Sequence, residues 1–259
     1  MKSPILFCIV AVLTGCAAAP SAIENEALAK IRTVGVVSAL GDELHVVHVS
    51  VLVWGNQRSV LPTNEWAIDA KMESLAKAVL EEGQRLQPES ATYLKPLVVA
   101  SISEGSGPLS KFKALDINSL QIKLKGFDWT KRYDALLILA RHNCSDQIGR
   151  SNQTLEGMGF YTKAFPPTAA PYLCYTSTLL DGTTFTVIRS GRGFIKKDPN
   201  LIPSLTDKTL PHKIVDPSHF VENAKELKAI DKELIQRTIA ELIAESVPGT
   251  LRSLTFARE

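Results

Sequence analysis

The fold of this chain is decided by one stretch of sequence, Tyr133-Asp134-Ala135-Leu136-Leu137-Ile138-Leu139-Ala140-Arg141. The middle of the stretch is continuously apolar and is bounded by charged residues. Such a run is typical of a strand that is covered on both faces, in a sheet with helices packed against it. We therefore predict that 133–141 forms the central strand of the sheet.

Further strands are predicted on both sides of this segment. The β-branched run at 31–38 indicates a buried strand and 44–54 a longer second strand, with Gly41 and Asp42 suited to a hairpin turn between them. Asp181-Gly182 is a strong hairpin signal. The remaining strands are expected at 97–102, 158–162, 170–180 and 183–189.

Helices are expected where apolar residues recur on one face. The first runs from an N-cap at Asn64 to about Glu82 and stops at Gly83. A weak helix is expected at 115–124. The last covers 221–245 with a continuous apolar face, and Pro248-Gly249 should stop it.

This order of elements describes an α/β (α+β) fold over 31–259, with one mixed sheet, helices packed on it and a long C-terminal helix. Hydrophobic residues make up 45% of the chain and charged residues 22%, which are ordinary values for a globular protein. The formal net charge of +2 provides no electrostatic footprint for nucleic acid.

The N-terminus is typical of an export signal, because Lys2 precedes an apolar run at 5–12 that is too short to span a bilayer. The run leads into Leu13-Thr14-Gly15-Cys16, which resembles the lipobox of bacterial lipoproteins. The resemblance implies that the signal peptide 1–15 is removed and that Cys16 carries lipid at the head of a tether, 16–30. An ordinary signal peptide cut after Ala18 or Ala19 is the alternative.

The lipobox resemblance also implies a location. More than one acyl chain on Cys16 suffices for stable membrane anchoring. An Asp after the lipidated Cys tends to retain proteobacterial lipoproteins in the inner membrane, so Ala17 implies the periplasmic side of the outer membrane. The extended tether reaches about 50 Å, which keeps the folded body close to the membrane face.

Cys144 and Cys174 are the cysteines left for the folded body, because Cys8 leaves with the signal and Cys16 is used by lipid. Two thiols in an oxidising compartment are a candidate disulfide. Two separate buried thiols are the alternative.

Residues with catalytic or metal-binding chemistry are few. His45 and His48 lie three apart in a predicted strand, so they should point to opposite faces and no metal site is expected. His142 and Cys144 should share a strand face, which keeps a nucleophile and base pair open. No serine elbow, phosphate loop or dinucleotide fingerprint occurs, so no cofactor is expected. Four acids are interpreted as turn or helix-start residues: Asp42, Glu43, Glu65 and Asp69.

Trp54 and Trp66 flank the loop 55–64 and form the candidate partner surface. Aromatic side chains at the edge of a loop suit contact with a ligand or a protein. Packing of these rings in the core is the alternative.

The body of the chain is similar to known proteins in two respects. Its element order resembles the α/β domains of periplasmic lipoproteins such as the curli secretion protein, the outer-membrane activators of penicillin-binding proteins and the N-terminal domain of the Tol-system propeller protein. Separately, the segments 32–42, 54–56 and 66–69 resemble a group of proteobacterial proteins of unknown function. The first likeness implies a fold, and neither implies an activity.

These features predict a non-enzymatic lipoprotein that binds an envelope partner close to the membrane. A periplasmic enzyme whose site is assembled from dispersed residues, such as His142, Cys144 or acidic groups, is the alternative. Self-association in an assembly role is a third hypothesis. A deep pocket containing those residues would favour the enzyme, whereas an exposed apolar patch would favour binding.

Overall fold

The computed structural model describes residues 28–82, 85–104, 113–129, 131–196, 208–219 and 223–255. The lipobox and most of the expected tether, including Cys16, lie outside these residues. The end of the tether, 28–30, is helical. In the described part of the chain, no helix has both the length and the apolar character needed to cross a bilayer.

The elements follow one another in mixed order. The first half of the chain forms β1 (Thr33–Ala39), β2 (Glu43–Val49), β3 (Gln57–Pro62), α1 (Ile68–Glu82), β4 (Gln87–Ser90), α2 (Lys95–Val99), β5 (Ile102–Glu104), β6 (Lys113–Leu115) and α3 (Ile117–Lys125). The second half forms β7 (Ala135–Arg141), β8 (Asn143–Ser145), β9 (Thr154–Glu156), β10 (Met158–Lys163), β11 (Thr168–Leu173), β12 (Tyr175–Asp181), β13 (Val187–Arg192), β14 (Ile195–Lys196), β15 (Lys208–Thr209) and α4 (Ala229–Thr255).

The larger sheet has the strand order β13-β12-β7-β1-β4, which confirms β7 as its central strand. Strands β4, β1 and β7 are parallel, whereas β12 and β13 are antiparallel additions. Leu137 and Leu139 point into the core beneath α1 and α4, while Leu136 and Ile138 point into a second core. The apolar run is therefore covered on both faces, as its sequence predicts.

A second sheet has the order β11-β10-β2-β3, with β2 and β10 parallel. Mixed sheets, packed helices and a long C-terminal helix confirm the α+β fold class, but the strands divide between two principal sheets instead of forming one. The expected hairpin of β1 and β2 is wrong, because Gly41 (φ 99°) turns the chain from one sheet into the other. The predicted strand 170–180 is likewise interrupted at Cys174, between β11 and β12.

The predicted strand at 97–102 is also wrong, because α2 occupies 95–99. Pro96 lies in the first turn, where its missing N–H costs nothing. Leu94 and Val98 are buried in the second core, and the Ser101 hydroxyl donates to the Leu97 carbonyl at 2.8 Å. A short apolar run does not distinguish a strand from a buried helical turn.

Helix α1 differs from the prediction at its start, and helix α4 differs at both ends, because α4 begins at Ala229 and not at 221. Helix α1 begins at Ile68 instead of following an Asn64 cap, because left-handed Ala67 (φ 50°) separates it from a 3-10 turn at Asn64–Trp66. Helix α4 continues through Pro248 to Thr255. Proline removes one backbone donor. The apolar face continues beyond it through buried Leu251 and Leu254, and this packing keeps the helix intact.

Asp134 joins the amino ends of β1 and β7. Its Oδ2 accepts hydrogen bonds from the backbone N–H groups of Thr33 at 2.8 Å and Arg32 at 2.9 Å. The Thr33 bond is the largest cause that holds the pKa of this carboxyl below its ordinary value, while burial opposes it. The charged form of Asp134 therefore stabilises the junction of the two strands.

We expect Asp134→Asn to destabilise the protein at neutral pH and to have no effect in acid. A carboxyl whose pKa is lower in the folded state contributes stability above its unfolded pKa of about 3.9, and this contribution is lost as the pH falls through the folded pKa. Solvent screening should keep the difference below about 1 kcal/mol. Urea unfolding from about pH 7 down to about pH 3 should show the two proteins converging. A constant difference would contradict the role of the charge.

Candidate functional site

The Cys144 and Cys174 sulfurs lie at disulfide-bonding distance, with their Cα atoms 6.1 Å apart. This confirms the prediction that the two cysteines meet. Cys144 belongs to β8, and Cys174 lies at the junction of the two sheets. In the disulfide the Cys144 sulfur is bonded to Cys174, so it is not available as a thiolate nucleophile.

His142 lies beside this disulfide but does not form a catalytic pair with Cys144. Its backbone N–H donates to the Cys174 carbonyl at 3.1 Å. Its Nε2 is buried and has no hydrogen-bond partner among the described residues. Burial, and secondly the charge of Arg192, lower the pKa of His142. The ring is therefore neutral at neutral pH and part of the junction.

The remaining histidines on β2 are separate from one another. His48 is buried, with Nδ1 3.1 Å from the Thr162 hydroxyl, whereas Nε2 of the partly exposed His45 lies 4.0 Å from the Glu43 carboxylate. Within the residues that the structure describes, no cluster of His, Cys, Asp or Glu side chains is arranged to hold a metal ion.

Two acids of α1 meet the carboxyl ends of β1 and β4. Asp69, expected only to start the helix, accepts from the Ser38 hydroxyl at 2.7 Å and the Leu40 N–H at 2.8 Å. Glu73 accepts from the Ser38 N–H at 3.0 Å and the Thr92 hydroxyl at 2.8 Å. Both carboxylates are buried.

Lys95, from α2, completes this buried polar network, with its Nζ 2.6 Å from Asp69 Oδ2. Burial lowers the pKa of this lysine, but the carboxylates around it, first Asp69 and then Asp42 and Glu73, together raise the pKa above its ordinary value. The Asp42 carboxylate lies 3.9 Å from the same Nζ, on the exposed side of the network. Both Glu73 oxygens and Asp69 Oδ1 accept hydrogen bonds from the protein, and Asp69 Oδ2 forms the ion pair with Lys95, so the network joins helix to sheet.

An open groove follows the edge strand β13, at the opposite edge of the larger sheet from β4. Its volume is about 930 Å³. The walls are the strand itself, the end of β8 with Gln147, the β15 region and the end of α4. We call it the β13 groove. The segments that form it are far apart in sequence, and no local motif indicated it.

Strand β13 can offer backbone groups to this groove. Among the described strands it pairs only with β12, and none of them pairs with its other edge. An edge of this kind is a template for a further extended segment. Val187, at the start of the strand, is 44% exposed and adds an apolar contact.

The charge of the groove is positive. Arg189, Arg192 and Lys208 line it, and no carboxylate is found among its described lining residues. Arg189 also donates to the Leu254 carbonyl at 3.1 Å, and the Lys208 ammonium lies 4.0 Å from the centre of the Phe194 ring. These contacts hold Arg189 and Lys208 in place, and a lining of this charge suits an anionic ligand.

The two predicted surface tryptophans are not together. Trp54 is 84% exposed in the loop between β2 and β3, whereas Trp66 is 4% exposed and packs in the first core. Trp66 is therefore a core residue, which was the alternative interpretation of the tryptophans. Exposed Trp54 remains a candidate contact residue.

Comparison of the chain with protein-family models gave no match, and comparison with curated proteins gave none at a significant level.

Proposed function

We propose that this chain is a lipid-anchored envelope protein that binds a partner and is not an enzyme. The lipobox at 13–16 and the Ala17 that follows it support an anchor at Cys16 on the periplasmic side of the outer membrane. The short tether keeps the partner site near that surface.

The β13 groove carries the proposal. An exposed strand edge recognises an extended segment through backbone hydrogen bonds, and the flanking side chains select its sequence. The cations Arg189, Arg192 and Lys208 favour acidic side chains on that segment. The proposed partner is therefore an envelope protein that presents an extended, acidic segment.

The groove is tested by reversing its charge. Full-length Arg192→Glu/Lys208→Glu protein, solubilised from envelopes in detergent, should lose the partner recovered with the wild type. Lys71→Glu/Lys125→Glu makes the same charge change at exposed positions outside the groove and should retain that partner. Identical recovery by all three proteins would show that the groove is not the binding site.

The anchor is tested separately with Cys16→Ala. We expect this variant to leave the membrane fraction when envelopes are washed with salt, because the acyl chains supply the stable attachment. Salt-resistant association of Cys16→Ala, equal to that of the wild type, would show that lipid on Cys16 is not the anchor.

A further inference from the structure

One end of the second sheet carries an exposed apolar surface, which we call the apolar tip. It consists of Val51, Leu52, Val53 and Trp54, between β2 and β3, with Phe165, between β10 and β11. Their exposed fractions are 71%, 51%, 81%, 84% and 73%. Large apolar side chains that are exposed together on a folded protein mark a site of contact.

The two loops are neighbours because their strands are neighbours. Strands β2 and β10 run parallel, with Val49 beside Lys163 at their ends. The Ala164 N–H donates to the Val49 carbonyl at 2.9 Å, so the two loops leave the sheet at the same place. The five side chains therefore belong to one surface.

The loop between β2 and β3 is held in shape by its own hydrogen bonds. The Gly55 N–H donates to the Leu52 carbonyl at 2.8 Å, and the Ser50 N–H donates to Asn56 Oδ1 at 3.0 Å. A Cβ at position 55 would lie 2.6 Å from the Ser50 hydroxyl oxygen, so glycine permits this tight turn. The backbone is satisfied locally, and its apolar side chains are directed away from the core.

The charges around the apolar tip select the surface that it contacts. Residues 50–56 and 164–168 carry no charge. Arg58 and Lys163 flank them, and Arg150 follows Gly149, whose carbonyl accepts a bond from Lys163 Nζ at 2.9 Å. Two acids lie on this side among the described residues: Asp146, which accepts from the Gly149 N–H at 2.8 Å, and Asp216, beyond the bridge that joins Val215 to Ala169. Cations thus predominate around an uncharged apolar centre.

We infer that the apolar tip inserts into the interfacial layer of a lipid bilayer, with the surrounding cations at anionic headgroups. Tryptophan is favoured at this depth, where an apolar ring and a polar N–H are both accommodated. Apolar burial and attraction to anionic lipid act together in such contacts. The inference rests on the proposed function, because the lipid anchor is what places the protein beside a membrane. It adds a second point of attachment to that membrane.

The test uses full-length lipidated protein in vesicles of phosphatidylcholine and phosphatidylglycerol with brominated acyl chains. Bromine quenches the emission of a tryptophan that lies in the bilayer. Trp66 is buried and Trp129 packs beside Phe185, so Trp54 should supply the quenched signal. We expect quenching in the wild type and its loss in Trp54→Phe.

Variants locate the contact and separate it from the anchor. Val53→Asp and Phe165→Asp should reduce the quenching of Trp54, while Ile122→Asp, at a 74% exposed position on α3, should leave it unchanged. Flotation of the protein with the vesicles reports the anchor independently. If the protein floats but Trp54 is not quenched, the inference is overturned and the anchor stands.

If lipidation fails, the protein is added to the same vesicles from solution. The wild type should then bind the anionic vesicles at least about tenfold more strongly than Val53→Asp. Equal binding by the two proteins would overturn the inference, whatever the state of Cys16.

Discussion

Replacement of both Cys144 and Cys174 with alanine should lower the free energy of unfolding by about 3 to 4 kcal/mol. The disulfide closes a loop with a sequence separation of 30 residues, and a crosslink of this span restricts the unfolded chain by that amount in the chain-entropy treatment. The bond also lies at the junction of the sheets, where the Cys174 N–H donates to the Gly157 carbonyl at 2.6 Å. Urea unfolding at neutral pH measures the effect.

A reductant provides the matched control for the disulfide. Dithiothreitol should shift the urea midpoint of the wild type toward that of the double variant, and it should not change the double variant. A wild-type midpoint that is insensitive to reductant, under conditions where thiol labelling shows both sulfurs reduced, would contradict the stabilising role.

The second large effect is expected from Asp69→Ala, which should destabilise the protein by about 3 kcal/mol. The change leaves the Ser38 hydroxyl and the Leu40 N–H without their buried acceptor, at about 1–3 kcal/mol for each donor. It also leaves Lys95 without its closest counterion. Thermal and urea unfolding at neutral pH measure the loss.

Two further variants distinguish the buried network from simple loss of charge. Asp42→Ala removes an exposed carboxylate 3.9 Å from the same lysine, and it should change stability by less than about 1 kcal/mol. Lys95→Met in the Asp69→Ala background should recover part of the loss, because it removes the unpaired ammonium. Equal effects of Asp69→Ala and Asp42→Ala would show that burial of the network is unimportant.

Local sequence patterns predicted the elements whose environment is simple. Strand β7 is buried on both faces, so its apolar run is unambiguous. Asp181 closes the turn after β12 by accepting from the N–H groups of Thr183 and Thr184, as a residue of its type does in many turns. The same kind of signal was insufficient at 97–102, where the apolar residues suit either a strand or a short helix.

The candidate sites depended on contacts that no local pattern records. Trp54 and Trp66 are both placed near the ends of one loop, yet one is exposed and the other buried. The difference arises because the core covers Trp66, while the turn at 50–56 directs Trp54 outward. Phe165 joins Trp54 through the pairing of β10 with β2, which the sequence did not reveal.

The amino-acid order alone thus specified an α+β chain with a buried central strand, a long C-terminal helix and a pair of cysteines, because each follows from local polarity or composition. It did not specify that the strands form two sheets, that α4 continues through Pro248, or that cations gather along β13. Those features depend on which distant segments pair and which surfaces are covered. Long-range pairing is selected by the packing of the whole chain, so only the tertiary structure decided them.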